Sequence, residues 1–235
     1  MTKVYKYRGE SFERDIKTAI NNQIYISSKE KLNDPCEALF DDNHLRKYIH
    51  IVDNIKTPYK SGTQLYNELI NEIRQSFGVY SLSFDIDNEL LWSYYANGHK
   101  GFCIEYELEI LRDLLIQDCY KNVIQVRYKN EPPILHFKFS DDINEVVYIM
   151  HGYKSKEWEH EREIRIIADK LELVDINRDA MTAIYFGIRM ASLEKEIIIN
   201  AFQDRNIKFY QMQLKPNSYL LEAKLLRSNI IQNLE

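Results

Sequence analysis

Apolar residues in this chain keep two different periods, and their interleaving is the strongest constraint on its fold. Val4–Tyr7, Val79–Phe84 and Gly101–Tyr106 alternate or cluster with the short reach of strands, whereas the stretch after Ser11 sets Ile16, Ala19 and Ile20 on one helical face. The same reading predicts strands at Gln23–Ser27, Val123–Tyr128, Arg162–Ala168, Ala183–Phe186, Lys208–Met212 and Tyr219–Leu225. Helices are expected over Asp41–Asp53, Gly62–Phe77, Asn88–Ala96, Leu108–Asp118, Asp142–His151 and Ser192–Phe202, the third stopped by Asn97-Gly98. Lys31-Leu-Asn-Asp-Pro-Cys-Glu37 reads as a turn, because the residue before proline avoids helix. Strands follow one another near the carboxyl end instead of alternating regularly with helices. The expected class is therefore α+β, with a mixed, mainly antiparallel sheet, flanking helices and a helical insertion near residues 41–77.

Composition narrows the functional classes. The chain has 235 residues, 45% of them hydrophobic and 29% charged, enough apolar material for one substantial core and too much for intrinsic disorder. Only seven glycines and five prolines are present, with no run of either to mark a linker, so a single domain over 1–235 is expected. A net charge of −5 gives no global attraction to nucleic acid or anionic membrane. Cys36, Cys103 and Cys119 are odd in number and widely spaced, which fits free thiols better than a disulfide framework or a zinc site. The opening residues read as a strand and not as a signal peptide, and no apolar run approaches a membrane span. The expectation is a cytoplasmic protein without a membrane partner.

The common nucleotide loops, Gly-x-x-x-x-Gly-Lys-Ser/Thr and Gly-x-Gly-x-x-Gly, are absent, as are His-Glu-x-x-His and Gly-x-Ser-x-Gly. Six scattered histidines give little support for a metal, and no metal ligand is assigned. The densest chemical segment is Lys156-Glu-Trp-Glu-His-Glu-Arg-Glu-Ile-Arg-Ile-Ile167. Read as a strand entry, it sets Glu161, Glu163 and Arg165 on one face, an arrangement able to divide acid and electrostatic roles between two carboxylates. The plainer reading is a solvated salt-bridge ladder on an edge strand. Trp92, Tyr94 and Tyr95 beside His99 and Lys100 could stack on bases, or Trp92 and Tyr95 could simply pack in the core. Asp34 could act as a catalytic acid, or close an Asx turn.

Several blocks together resemble a bacterial family known as domain of unknown function 2971. They are Tyr7-Arg8, Ile24-Tyr-Ile-Ser-Ser28 with Leu32-Asn-Asp-Pro-Cys-Glu37, Leu91-Trp-Ser-Tyr-Tyr-Ala96 with His99-Lys-Gly-Phe-Cys-Ile-Glu105, and Lys156, Trp158, Glu161, Glu163 and Arg165. The resemblance implies that Asn33, Asp34, Trp92, Tyr95, His99, Lys100 and Arg165 converge with the two glutamates to bind a substrate. A second resemblance is to the ADP-ribosyltransferases, in the chain order Arg8, Ser81-Leu-Ser83, Glu161-Arg-Glu163. It implies that NAD is the substrate, that Arg8 contacts its phosphates, that Ser81 or Ser83 supports the strand and that Glu163 binds the nicotinamide ribose. Glu161 would orient an acceptor of unknown identity, protein or nucleic acid. Leu82 departs from that family's usual threonine. A toxin or phage-defence role would follow from such chemistry; a nucleotide- or nucleic-acid-binding module without turnover, and a metal-dependent nuclease using Asp34, Glu161 and Glu163, are the alternatives.

Overall fold

The computed structural model describes residues 1–53, 61–113, 121–136 and 143–228. An eight-stranded sheet organises the chain, in the order β12-β11-β10-β4-β1-β3-β8-β5. Its strands are β1 (Lys3–Arg8), β3 (Gly78–Ser83), β4 (Phe102–Glu107), β5 (Lys121–Gln125), β8 (Glu163–Ala168), β10 (Met181–Phe186), β11 (Lys208–Leu214) and β12 (Leu221–Ser228). All neighbours are antiparallel except β10 and β11. That parallel pair needs a crossover, and α7 (Ser192–Ala201) lies in it. The class is α+β, as expected.

Two short ribbons depart from expectation. β2 (Gln23–Ile26) leaves the main sheet to pair with β9 (Glu172–Asp175), which alternation alone did not mark. The strand expected over Val123–Tyr128 breaks into β5 and β6 (Arg127–Lys129): Val126 N still bonds Glu163 O in register with β8, and Arg127 N then turns to Gly152 O. β6 then pairs in parallel with β7 (Tyr153–Ser155). Of the helix expected over Leu108–Asp118, α5 (Leu108–Leu111) is seen, and 114–118 lie outside the described residues, as does Cys119. No helix among the described residues is long and apolar enough to cross a membrane.

Strand alternation divides the core. Val4, Tyr80, Leu82, Ile104, Tyr106, Ile164, Ile166 and Ile184 face a cluster completed by Ile16 and Ala19 of α1 (Phe12–Ile20) and by Ile198 of α7. On the opposite face Val79 and Ile167 meet Tyr66, Ile70 and Ile73 of α3 (Gly62–Ser76) and Val146, Val147 and Met150 of α6 (Ile143–His151). Leu91 and Trp92 of α4 (Glu89–Tyr95) cover Tyr7, Cys103 and Tyr185 on that same face. The helical insertion, α2 (Asn43–Asp53) and α3, therefore gives no strand to the sheet and lends it an apolar cover. Each such large apolar side chain, fully buried, contributes about 1.5–3 kcal/mol.

One junction in the sheet is incomplete. β1 pairs with β4 along its whole length, from Lys3↔Glu107 to Arg8↔Phe102. Against β3 it registers only at Tyr5↔Ser83. The two strands diverge beyond that pair, and Lys6 Nζ reaches across to donate to Ser81 O at 2.9 Å, standing in for a missing ladder bond. The far end of β1 is pinned by two glycines: a Cβ on Gly101 would lie 2.0 Å from Arg8 O, and one on Gly9 would lie 2.6 Å from Asn97 N. The fork between β1 and β3 opens onto a cavity lined by both strands.

Candidate functional site

That cavity, about 840 Å³, opens between β1, β3, the start of β8 and the turn after β2. Its walls carry opposite charge. One wall is Lys6 and Arg8, two residues apart on β1 and therefore on one face. Lys6 Nζ sits 4.8 Å from the centre of the Tyr80 ring, and the Arg8 guanidinium 5.8 Å from it. Arg8 Nη2 donates to Tyr80 Oη at 3.3 Å, its Nε has no hydrogen-bond partner among the described residues, and the nearest carboxylate among them, Asp15, stands 4.0 Å away and is shared with Arg14. Burial, followed by the neighbouring Arg8 charge, pushes the Lys6 pKa down to about 7. Two basic side chains stand side by side here, and Asp15 beside Arg8 is the one carboxylate that reaches them among the described residues.

The other wall is a buried charge network. Arg165 donates Nε and Nη2 to Glu163 at 2.8 and 3.0 Å, and Nη1 and Nη2 to Glu37 at 2.8 and 2.7 Å. Lys154 Nζ lies 2.6 Å from Glu161, 3.5 Å from Glu163 and 3.6 Å from Glu37, and 4.6 Å from the Trp158 ring centre. Tyr95 Oη donates to Glu161 Oε1 at 2.6 Å. Burial alone would raise the Glu163 pKa, but the Arg165 charge, and behind it Lys154 and the Ser81 hydroxyl, hold it well below the usual carboxylate range. Burial would likewise lower the Lys154 pKa, and the Glu163 and Glu161 charges override it. Three carboxylates face two cations, so this wall carries an excess negative charge when all are ionised.

The candidates divide on this geometry. Arg8, Asn33, Asp34, Ser83, Tyr95, Glu161 and Glu163 all line the cavity. Glu163 and Arg165 share a face of β8, but Glu161 does not lie on the strand. It ends a 3₁₀ turn, Lys156–Glu161, and Arg162 in the left-handed region (φ 43°) redirects the chain before β8 begins. The edge-ladder reading fails too, since β8 is flanked by β3 and β5 and Glu163, Arg165 and Glu161 are buried. Ser83 Oγ donates to Glu161 O and accepts from Asp85 N, so it braces the turn, while Ser81 reaches the Glu163 carboxylate. Asp34 Oδ1 accepts from Cys36 N at 2.8 Å, the Asx turn of the plainer reading.

Four candidates stay out of the cavity. Trp92 is fully buried, its Nε1 donating to Ile86 O, because the α4 register points it with Leu91 into the core. His99 stacks on Trp92 and its backbone anchors Arg189 N, and Lys100 is exposed on the same turn. Arg165 is wholly buried behind Glu163 and Glu37, so it acts on carboxylates and not on a ligand. Lys6 and Lys154 were missed. Lysine on an alternating strand reads as solvent-facing, and only the fork and the turn bury them. Among the described residues no three His, Cys, Asp or Glu side chains are grouped to hold a metal ion, and Lys154 and Arg165 fill the space between the carboxylates.

The carboxylate wall and its braces coincide with a recognised segment. Residues 91–166 match the family described as protein of unknown function, DUF2971. The resemblance seen in the blocks from Leu91 onward is borne out over that segment. Tyr95, Lys154, Glu161, Glu163 and Arg165 lie within the DUF2971 match, and Lys6, Arg8, Asn33, Asp34, Glu37 and Ser83 lie before it. The cavity is thus assembled from the DUF2971 segment and from chain outside it. No curated protein and no solved structure matches the chain.

Proposed function

We propose that the cavity binds a nucleotide-type ligand carrying both phosphate and a cationic centre, and that NAD, used as in ADP-ribosyl transfer, is the ligand. The observation that carries this reading is the charge of the two walls: among the described residues Lys6 pairs with no carboxylate and Arg8 meets only Asp15, at 4.0 Å and shared with Arg14, whereas Glu37, Glu161 and Glu163 outnumber Lys154 and Arg165. A pyrophosphate fits the first wall, by charge-assisted hydrogen bonds from Arg8 and Lys6. A nicotinamide ribose fits the second. Breaking its glycosidic bond develops positive charge on the sugar, which a preorganised carboxylate held ionised by Arg165 stabilises without reorganising. Adjacency of the strands bearing Arg8, Ser83 and Glu163 supports the reading, since β1, β3 and β8 are neighbours. Register sets Arg8 on the face opposite Ser83 and Glu163, so they share a ligand only across the fork.

The test is nicotinamide release from NAD by the wild type and by Glu163→Gln, with NAD binding followed in parallel by calorimetry. Release that Glu163→Gln abolishes while binding persists supports the transfer reading. Binding without release, weakened by Arg8→Gln, supports a nucleotide-binding module instead. If NAD neither binds nor turns over, both fall.

A further inference from the structure

Lys6 bridges the fork through a single hydrogen bond, and among the described residues no carboxylate pairs with it. It lies deep on β1 yet opens onto the cavity; its Nζ donates to one main-chain oxygen, Ser81 O, and rests on the Tyr80 ring. Among the described residues it forms no ion pair, whereas Lys154, the other deep lysine of the cavity, sits among three carboxylates. A lysine attacks a carbonyl only as the free amine, and burial beside a second cation is the setting that supplies it. Its pKa near 7 agrees with that placement. Arg8, on the same face, stands ready to hold an anion next to it.

We infer that Lys6 is an imine-forming amine for an aldehyde that carries a phosphate, with Arg8 binding the phosphate. The Nζ lone pair adds to the aldehyde carbon, and a proton passes from the nitrogen to the former carbonyl oxygen to give a carbinolamine. Water then leaves as the C=N bond forms, so nothing is oxidised or reduced. The inference rests on the phosphate-binding half of the proposed function.

Pyridoxal 5′-phosphate is the probe, because it joins an aldehyde to a phosphate and its imine absorbs visible light. The full chain is treated with one equivalent, reduced with borohydride and mapped by peptide mass spectrometry, with pyridoxal as the phosphate-free control. The expected result is label concentrated on Lys6, a preference for the phosphorylated probe, and loss of about tenfold in that preference in Arg8→Gln. Label spread over Lys17, Lys31, Lys154 and surface lysines, or equal labelling by pyridoxal, overturns the inference. Lys6→Met should lose the Lys6 label; if it fails to fold, the wild-type map alone decides which lysine is modified. NAD binding followed by calorimetry separates the two ideas: label on Lys6 without NAD binding keeps the amine and removes NAD, and NAD binding without label on Lys6 does the reverse.

Discussion

Arg165 and Glu163, two residues apart on β8, form a two-point ion pair at 2.8 and 3.0 Å inside the protein, and the same guanidinium grips Glu37 from 128 residues earlier. Their shared burial ties the turn after β2 to the sheet. Arg165→Met leaves Glu37 and Glu163 facing each other with Lys154 alone, and removing one partner of a buried pair costs about 3–5 kcal/mol. Urea denaturation should show a lower midpoint at unchanged slope. A loss under 1 kcal/mol means the carboxylates are neutral or hydrated in the native state.

Two deeply buried groups contribute to acid sensitivity, with windows that overlap only below pH 4.5. His151 is buried, and burial, then the Arg165, Lys29 and Arg74 charges, drop its pKa from 6.5 to about 3. The unfolded chain takes up its proton first, so stability falls as pH drops below 6.5, by about 1.4 kcal/mol per unit. Glu163 also has a lowered folded pKa, so its contribution is complete above its ordinary value of 4.5 and drains only below it. His151→Leu should reduce the slope of the stability profile between pH 6.5 and about 3, most cleanly between 6.5 and 4.5 where Glu163 contributes none, and leave the Glu163 loss below that. An unchanged slope in that interval shows His151 is not buried neutral.

Gly101 and Gly98 lie in one turn and predict different costs. A Cβ at Gly101 meets the Arg8 carbonyl oxygen at 2.0 Å, backbone against backbone, so Gly101→Ala must displace the end of β1. At Gly98 the space is open and only its φ of +58° resists substitution, a cost of about 1–2 kcal/mol. Thermal unfolding should rank Gly101→Ala as the more damaging, with ligand binding at Arg8 weakened as well. Equal effects refute the close approach.

Asn88 has two separable tasks. Its Oδ1 caps α4 by accepting from Leu90 N and Leu91 N, and its Nδ2 donates to His160 O at 2.6 Å, fastening the turn that carries Glu161. Asn88→Ala should cost about 1–2 kcal/mol. Asn88→Asp keeps the cap and loses the donor, so it should retain most helix stability while lowering NAD affinity. If Asp and Ala behave alike in both measurements, the link to His160 is idle.

Much of the local structure was legible because it depends on short-range rules. Period-two segments became β1, β3 and β4, the Asn97-Gly98 stop follows α4, and the Asn-Asp-Pro segment closed through Asp34. Glu161 was misplaced on a strand because nothing local announces the left-handed Arg162 that precedes β8. The family resemblance groups Trp92, His99 and Lys100 with the site, yet one helical residue separates a core position from a cavity position.

The residue pattern alone determined the α+β class, the positions of most strands and helices, and the carboxylates available for chemistry. Only the tertiary structure decided that β1 and β3 part after Tyr5↔Ser83 and that Glu37 and Lys154 join Arg165 beneath the opening. The reason is physical: alternation fixes which face of a strand a side chain takes, but whether a charge on that face meets water, a partner or a cavity depends on strands far away in sequence.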